Sequence, residues 1–252
     1  MGFLDFLFPP LCPHCGAPVV SQGRWCDSCI DDVLHIRQVP QKFLHSLDKV
    51  WILADYRGGI KSMIYDVKFN AKKEQSKGAA PFLASYNLYV HEYMPHYIVP
   101  IPSSEEKKKI RGYNQVDLFF MGWANCLEES NVLKENECFS PYRDNNNHRF
   151  ICSDCKQKVY EIDEHYFVWL DCLYKMDTHK DMWRLTGTER LETVKHAFMW
   201  NCEYNETIIK GKRILLVDDI YTTGATLESA GAVLRQYKPA SIESLTLASG
   251  SF

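Results

Sequence analysis

Two adjacent carboxylates and a threonine-rich loop form the pattern with the clearest chemistry in this chain. Residues 217–226 have the sequence VDDIYTTGAT. Asp218 and Asp219 repel one another and resist desolvation, so we expect them to face cations or hydroxyl donors, such as a ribose diol or a metal-bound sugar. The residues that offer hydroxyl and backbone donors to an anion come next: Tyr221, Thr222, Thr223, Gly224, Ala225 and Thr226. The segment therefore predicts a site for a phosphorylated sugar.

A strand before this loop and a helix after it must position these groups. Residues 214–217 are apolar and β-favouring, which suits a strand buried on both faces of a parallel sheet. Ligands of such sheets lie beyond the carboxyl ends of the strands, where we expect Asp218 and Asp219. A helix follows, with one apolar face made by Leu227, Ala230, Val233, Leu234 and Tyr237. An ordinary strand, turn and helix with a threonine N-cap is the alternative interpretation.

Strands and helices alternate through much of the chain. The apolar patterns predict strands over residues 50–55, 97–101, 197–200 and 242–248, and helices over residues 60–69, 79–93 and 116–127. This alternation predicts an α/β fold, in which helices cover both faces of a mostly parallel sheet. Pro102, Ser103 and Ser104 follow one of the strands, and we expect them to contact an anion at the same edge of the sheet.

Four cysteines near the amino terminus have the spacing of a metal site. Cys12, Cys15, Cys26 and Cys29 form two CxxC pairs with ten residues between them. This spacing predicts one structural Zn²⁺ held by four thiolates, with His14 as a substitute ligand. Disulfides are the alternative. Residues 1–10 lack a basic region and contain Asp5, so we expect no secretory signal or membrane span, and reduced thiols in the cytoplasm.

Composition is consistent with a globular protein. The chain has 252 residues and 46% hydrophobic content, enough for one α/β domain with small appendages. Its net charge of −3 excludes a global basic field. Contact with nucleic acid would therefore depend on local patches.

Residues 217–226 resemble the 5-phosphoribosyl-1-pyrophosphate (PRPP) motif of the type I phosphoribosyltransferases. The whole chain resembles the ComF family, which joins a zinc element to such a domain. The segments that carry this resemblance are FPPxCxxC at the start, Lys-Phe at the end of the helix over 60–69, VPIP at 99–102, RGYNQ at 111–115, and Arg190 with residues 197–198.

The resemblance implies a fold, ligands and roles. The acidic pair would bind the ribose hydroxyls and the loop would bind the 5-phosphate. The RGYNQ segment would belong to a hood over the site, with Mg²⁺ and cations near the leaving pyrophosphate. The available cations are Lys107, Lys108, Lys109 and Arg111, of which Lys108 and Arg111 are the candidate catalytic residues. A solvated basic turn is the alternative. No side chain is an obvious base, so the acceptor is not identified.

The chain also departs from the family pattern. Where relatives carry Thr-x-x-Gln and Arg-x-x-Asn, this chain has THKD at 178–181 and RLET at 190–193. An insertion of the zinc-ribbon type is expected at about 128–170. Its CxxC pair Cys152 and Cys155, with Cys138 and Cys172, would hold a second zinc, with free structural cysteines as the alternative. The predicted domains are a zinc element over residues 1–45 and a phosphoribosyltransferase-like domain over residues 46–252.

Two classes of function follow from the resemblance. The first is a PRPP-binding phosphoribosyltransferase, a pentosyl-transferring enzyme if active, linked to DNA uptake in natural transformation. Its partners would be single-stranded DNA and a helicase or recombination mediator, and the family's habit implies self-association. The second is a non-catalytic module that binds single-stranded DNA or protein on the same fold.

Overall fold

Strands supply the framework of the computed structural model, which describes residues 9–20, 24–89, 95–130, 141–143, 150–152, 168–176 and 197–251. Within these residues the strands are β1 Leu34–Gln38, β2 Lys49–Asp55, β3 Tyr97–Pro100, β4 Pro141–Arg143, β5 Phe150–Cys152, β6 Val168–Trp169, β7 Leu173–Lys175, β8 Phe198–Trp200, β9 Arg213–Tyr221 and β10 Ser241–Ser249. The α-helices of the same residues are α1 Asp27–Val33, α2 Gly58–Phe69, α3 Ala80–Tyr89, α4 Glu105–Arg111, α5 Gln115–Ser130 and α6 Ala225–Arg235.

Six of the strands form the central sheet, in the order β1-β2-β10-β9-β3-β6. β1 is antiparallel to β2, and all other neighbours in this sheet are parallel. The predicted α/β fold with a mostly parallel sheet is therefore confirmed. The predicted strand over residues 197–200 is β8, which pairs with β7 in a separate antiparallel ribbon.

Helices cover both faces of the sheet, as the alternation of the sequence predicts. On one face, Leu215 and Val217 of β9 share an apolar core with Phe82 of α3 and Phe120 of α5. On the other face, the next residues in register pack against α6 and the β7–β8 ribbon. Successive side chains of a strand point to opposite faces, so β9 contributes to both cores and is buried along most of its length.

The predicted helices begin and end close to their predicted bounds, and two further helices, α1 and α4, are not predicted. The charged segment after β3 is a helix, α4, which the sequence patterns do not predict. Glu105 and Glu106 lie in its first turn and basic residues in its last turn, an order that suits the helix dipole. Gly112 ends the helix with a φ of 77°, a left-handed conformation that favours glycine.

The amino-terminal cysteine element packs directly on the helical layer. The Trp25 ring meets Phe82 of α3 edge-on at 5.2 Å, and its indole N–H donates to the carbonyl of Gly78 at 3.0 Å. A Cβ atom at Gly59 in α2 would lie 2.5 Å from the Cβ of His14, so the two backbones approach as closely as glycine allows. The element is therefore braced by the first two long helices.

The predicted domain boundary and the insertion are only partly covered by the described residues. Strand β1 lies before the predicted boundary at residue 45 and pairs with β2 after it, so contacts cross that boundary. In the insertion, β4 and β5 pair as an antiparallel ribbon, and most other residues of this segment lie outside the described ones. Within the described part of the chain, no helix has the length and apolar character needed to cross a membrane.

Candidate functional site

The acidic pair lies inside strand β9, which continues four residues beyond the end predicted at Val217. β10 pairs with β9 as far as Ser249 opposite Tyr221, whereas β3 pairs only as far as Pro100 opposite Val217. Continued pairing with β10 explains why the strand does not end earlier. Because β3 ends first, the edge of β9 that faces β3 opens at Asp218 and Asp219.

The two carboxylates point to opposite faces of the sheet, as adjacent residues of a strand must. Asp219 lies on the face of α2, where Lys68 Nζ is 2.8 Å from its Oδ1 atom. Asp218 Oδ1 accepts the backbone N–H of Asp219 at 2.8 Å, and Lys175 of β7 is one of the cations that act on this carboxylate. Lys68 thus forms an ion pair with Asp219, while the charges of both Lys68 and Lys175 act on Asp218.

Burial makes this pair of acids unusual. Asp218 is 8% exposed and Asp219 is 3% exposed. Burial, and then the charge of Asp219, raises the pKa of Asp218 to about 7, although Lys68 and Lys175 act in the opposite direction. The second carboxylate oxygen of Asp219, Oδ2, is buried without a hydrogen-bond partner among the described residues. A buried acceptor of this kind is expected to receive a hydroxyl or cation from a ligand.

The loop after β9 has the shape of an anion cradle. Gly224 is the N-cap of α6 with a φ of 80°, and a Cβ atom there would lie 2.5 Å from Tyr221 Oη. The left-handed φ and the closeness of Tyr221 Oη therefore both require glycine at this position. Thr222 and Thr223 are exposed beside the helix start, and Thr223 Oγ1 accepts the Ala225 N–H at 3.4 Å. The amino end of α6 and these hydroxyls can together bind a phosphate.

The loop after β3 is held by the RGYNQ segment. The Ser103 hydroxyl lies 3.0 Å from Asn114 Oδ1 and 2.9 Å from Gln115 Oε1, and donates to one of them. The Asn114 amide donates to the Ile101 carbonyl and to Asp117 Oδ1. Ser104 Oγ is buried without a hydrogen-bond partner among the described residues. Asn114 and Gln115 therefore fix the loop that the sequence predicts as an anion contact.

The two candidate catalytic cations lie on α4 and differ in their surroundings. Arg111 donates to Gln115 Oε1 at 2.7 Å, and its guanidinium lies over the Phe69 ring at 5.4 Å. Lys108 is exposed and lines a cavity of about 420 Å³ beside Pro102 and Ser103. Their catalytic roles stay predictions.

The cavity brings together charged residues that the sequence patterns do not identify. Lys175, Asp117 and Asp171 line it together with Lys108. Burial, aided by the charge of Asp171, raises the pKa of Asp117 to about 6. Burial lowers the pKa of Lys175, although the charge of Asp218 acts in the opposite direction. These residues come from α5, β7 and the segment before it, so only the tertiary fold assembles them.

Lys68 is the other site residue that the sequence does not mark as functional. It occupies the last turn of α2, one position before Phe69, in the Lys-Phe step that supports the family resemblance. Its neighbours Ile64 and Val67 are buried against the sheet, so the helical period places Lys68 at the border of the buried face. This position at the border of the buried face is the sequence signal that could have identified Lys68.

The first four cysteines converge as their spacing predicts. The sulfur atoms of Cys12, Cys15, Cys26 and Cys29 all lie within 4.8 Å of one another. Four thiolates bound to Zn²⁺ at about 2.3 Å are separated by about 3.8 Å, so the cluster suits a tetrahedral zinc site. The His14 ring packs against Gly58 instead. The cluster therefore supports a structural zinc site in which the four cysteines, without the histidine, would be the ligands.

A second zinc site in the insertion stays a prediction. Cys172 is fully buried in the core beside β7, where burial raises the pKa of its thiol to about 12. The Cys152 backbone lies in β5, while Cys138 and Cys155 fall outside the described residues. The described residues thus contain one of the four proposed ligands with its side chain.

We expect Cys12→Ser to lose zinc and to lower the melting temperature. Cys12 is buried, and its cluster holds the knuckle that carries His14 against α2. Zinc content by mass spectrometry and thermal unfolding would measure both effects. Cys202→Ser is the control, because Cys202 is an exposed free thiol. A folded C12S protein with a full complement of zinc would contradict the ligand assignment.

We expect Lys68→Met to destabilise the fold by about 3–5 kcal/mol, because it leaves a buried carboxylate without its cation. The double variant K68M/D219N removes both charges and should recover most of this loss. Lys72→Met is the matched control, since its ion pair with Asp66 on the same helix is solvent-exposed and worth under about 1 kcal/mol. Urea denaturation measures all three variants. Equal effects of K68M and K72M would contradict the importance of the buried pair.

We expect Asp218→Asn to stabilise the fold above pH 7. The pKa of Asp218 rises from 3.8 to about 7 on folding, so the folded state binds the extra proton and stability falls as pH rises between these values. The uncharged amide of the D218N variant does not titrate, so this loss of stability with pH disappears. Its oxygen can still accept the Asp219 N–H. Unfolding curves at pH 4, 6 and 8 should show a gain that grows with pH. A constant difference across this range would contradict the pKa shift.

Comparisons with known proteins agree with this geometry. The pattern of the phosphoribosyl transferase domain matches residues 178–251, which include β8, β9, the threonine-rich loop, α6 and β10. The pattern of the double zinc ribbon domain matches residues 3–40, which contain the four clustered cysteines. The two patterns therefore include the acidic pair with its loop and the cysteine cluster.

Similarity to whole proteins extends over most of the chain. Competence protein F of Haemophilus influenzae is 25% identical over 232 residues, which are 90% of this chain and 79% of that protein. Competence protein ComFC of Bacillus subtilis is 26% identical over 238 residues, with 94% and 77% covered. The DNA utilization protein YhgH of Escherichia coli K12 is 20% identical over 240 residues, with 92% and 81% covered. Over most of its length the chain is thus similar to competence proteins of the ComF type, and it has the pattern of a double zinc ribbon before that of a phosphoribosyl transferase domain.

Proposed function

We propose that this protein binds PRPP at the open edge of β9 and acts as a phosphoribosyltransferase-like protein in DNA uptake. The observation that carries this proposal is the buried oxygen Asp219 Oδ2, which has no hydrogen-bond partner among the described residues and lies next to a glycine-shaped anion loop. A ribose diol with a 5-phosphate supplies a hydroxyl donor for Asp219 Oδ2 and an anion for the loop.

The acidic pair and the loop after β9 would bind different parts of PRPP. Asp218 and Asp219 would accept hydrogen bonds from the 2- and 3-hydroxyls of the ribose. The backbone of residues 222–226, the hydroxyls of Thr222, Thr223 and Thr226, and the amino end of α6 would bind the 5-phosphate. The phosphate loop begins at Thr222, three residues after Asp219, so the two parts of the site are adjacent along the chain.

The pyrophosphate would lie toward the loop after β3. Pro102, Ser103 and Ser104 bound that side, and Lys108 and Lys175 line the adjoining cavity. Mg²⁺, when bound, would neutralise pyrophosphate oxygens, and the carboxylates of Asp218 and Asp219 are oxygen ligands of the type that it prefers. The lysines would add positive charge where negative charge builds on the leaving group.

The names of the relatives support the cellular part of the proposal. Homologues named for competence and for DNA utilization share most of the length of this chain. We propose a cytoplasmic location, with single-stranded DNA and a helicase or recombination mediator as partners. A non-catalytic module that binds single-stranded DNA or protein on the same fold is the second candidate, and both candidates would use the open edge of β9.

Calorimetric titration of PRPP with Mg²⁺ into the zinc-loaded protein tests the site. We expect saturable binding, at least tenfold weaker binding of ribose 5-phosphate, and no measurable binding by the folded D218N/D219N variant. Glu206→Gln, at an exposed position, is the control for removal of an acid elsewhere. Unchanged affinity in folded D218N/D219N would exclude this edge as the ligand site.

A further inference from the structure

Two aromatic side chains are exposed side by side at the end of α2. Tyr65 is 52% exposed and Phe69 is 63% exposed, and their ring centroids are 4.9 Å apart. They lie one turn apart on the outer face of the helix, while Ile64 and Val67 face the core. Single exposed apolar residues are common, but a contiguous aromatic pair offers two ring faces to a partner.

Cations surround this pair. Arg111 lies over the Phe69 ring at 5.4 Å, and Lys73 lies 4.8 Å from the ring centroid of Tyr113. The Tyr113 hydroxyl donates to the Val67 carbonyl at 2.6 Å, which holds the turn after α4 against α2. Lys61 precedes Tyr65 by one helical turn. We define the aromatic–basic patch as Lys61, Tyr65, Phe69, Lys73, Arg111 and Tyr113.

The nearby acids leave the patch positive. Asp66 is engaged by Lys72 at 3.0 Å, and Glu74 is engaged by Lys77 at 2.6 Å. The patch therefore combines ring faces with positive charge on a chain whose net charge is −3. A polyanion with exposed, stackable rings has the complementary chemistry, and single-stranded nucleic acid has both properties. A duplex offers the phosphates but hides the faces of its bases.

We propose that the aromatic–basic patch binds single-stranded DNA, with bases stacked on Tyr65 and Phe69 and phosphates near the surrounding cations. This inference deepens the proposed function and rests on its link to DNA. The patch also borders the phosphoribosyl site, because Lys68, the residue before Phe69, contacts Asp219. DNA on the patch would thus lie beside the acidic pair and would share Arg111 with the candidate catalytic cations.

Fluorescence anisotropy with a labelled twenty-nucleotide oligothymidine tests the patch. Stacking on an aromatic side chain contributes about 1–3 kcal/mol per base, so we expect Y65L/F69L to bind at least tenfold more weakly than the parent protein. Both positions are exposed, and leucine preserves an apolar helix former there. Affinity should also fall with salt, with a slope of about −2 in a plot of log K against log[salt], because the patch contains three cations, Lys61, Lys73 and Arg111.

A matched control is available in the same chain. Phe43 is 47% exposed with Lys42 Nζ 5.0 Å from its ring, but it lies before β2, outside the patch. F43L should bind the oligonucleotide like the parent protein. An equal loss in F43L, no loss in folded Y65L/F69L, or equal affinity for a duplex of the same length would overturn the proposal.

Measurement of PRPP binding on the same variants separates this inference from the proposed function. We expect Y65L/F69L to keep PRPP binding and D218N/D219N to keep oligonucleotide binding. A parent protein that binds the oligonucleotide through the patch but does not bind PRPP would support this inference while refuting the proposed ligand. Loss of oligonucleotide binding in folded D218N/D219N, with none in Y65L/F69L, would overturn it.

Discussion

The unequal pairing of β9 with its two neighbours is the constraint on which the candidate site depends. β10 stays paired to the end of β9, while β3 leaves after Val217. The strand therefore remains paired on one side where its other edge is open. Two carboxylates are buried at that opening, where their charges are costly unless cations and hydroxyl donors approach them. A helix terminus and a glycine loop follow at once, which makes the same place suited to an anion.

Two separate structures hold this edge in place. The RGYNQ segment anchors the loop after β3 through Asn114 and Gln115, and it anchors α2 through the Tyr113 hydroxyl. The cysteine element braces α2 at its other end, where His14 meets Gly59. Since α2 delivers Lys68 to Asp219, the zinc element and the ligand edge are linked through one helix. The zinc element thus has a structural role in the phosphoribosyl transferase domain as well as in its own fold.

The predictions from sequence agree closely with the structure wherever they depend on the pattern of one short segment. Periodicity predicted β2, β3, β10, α2 and α5 with bounds within a few residues, because apolar side chains in these elements face cores that span several turns or strands. The CxxC spacing predicted the cysteine cluster because ligands close in sequence can meet without help from the rest of the fold. The strand end at Val217 was placed too early, because pairing with β10 outweighs the polarity of Asp218 and Asp219.

By itself, the sequence determined the chemistry: an acidic pair, a phosphate-type loop and four thiolates, each within one short segment. The tertiary structure alone decided which charges oppose that pair. Lys68 and Lys175 are far from Asp218 and Asp219 along the chain, and each reaches them from a different face of the sheet. The tertiary structure also decided that Tyr65 and Phe69 are exposed to solvent and that Arg111 lies over the Phe69 ring. The physical reason is that a local pattern specifies the conformation of a segment, whereas contacts between distant segments depend on how the whole chain packs.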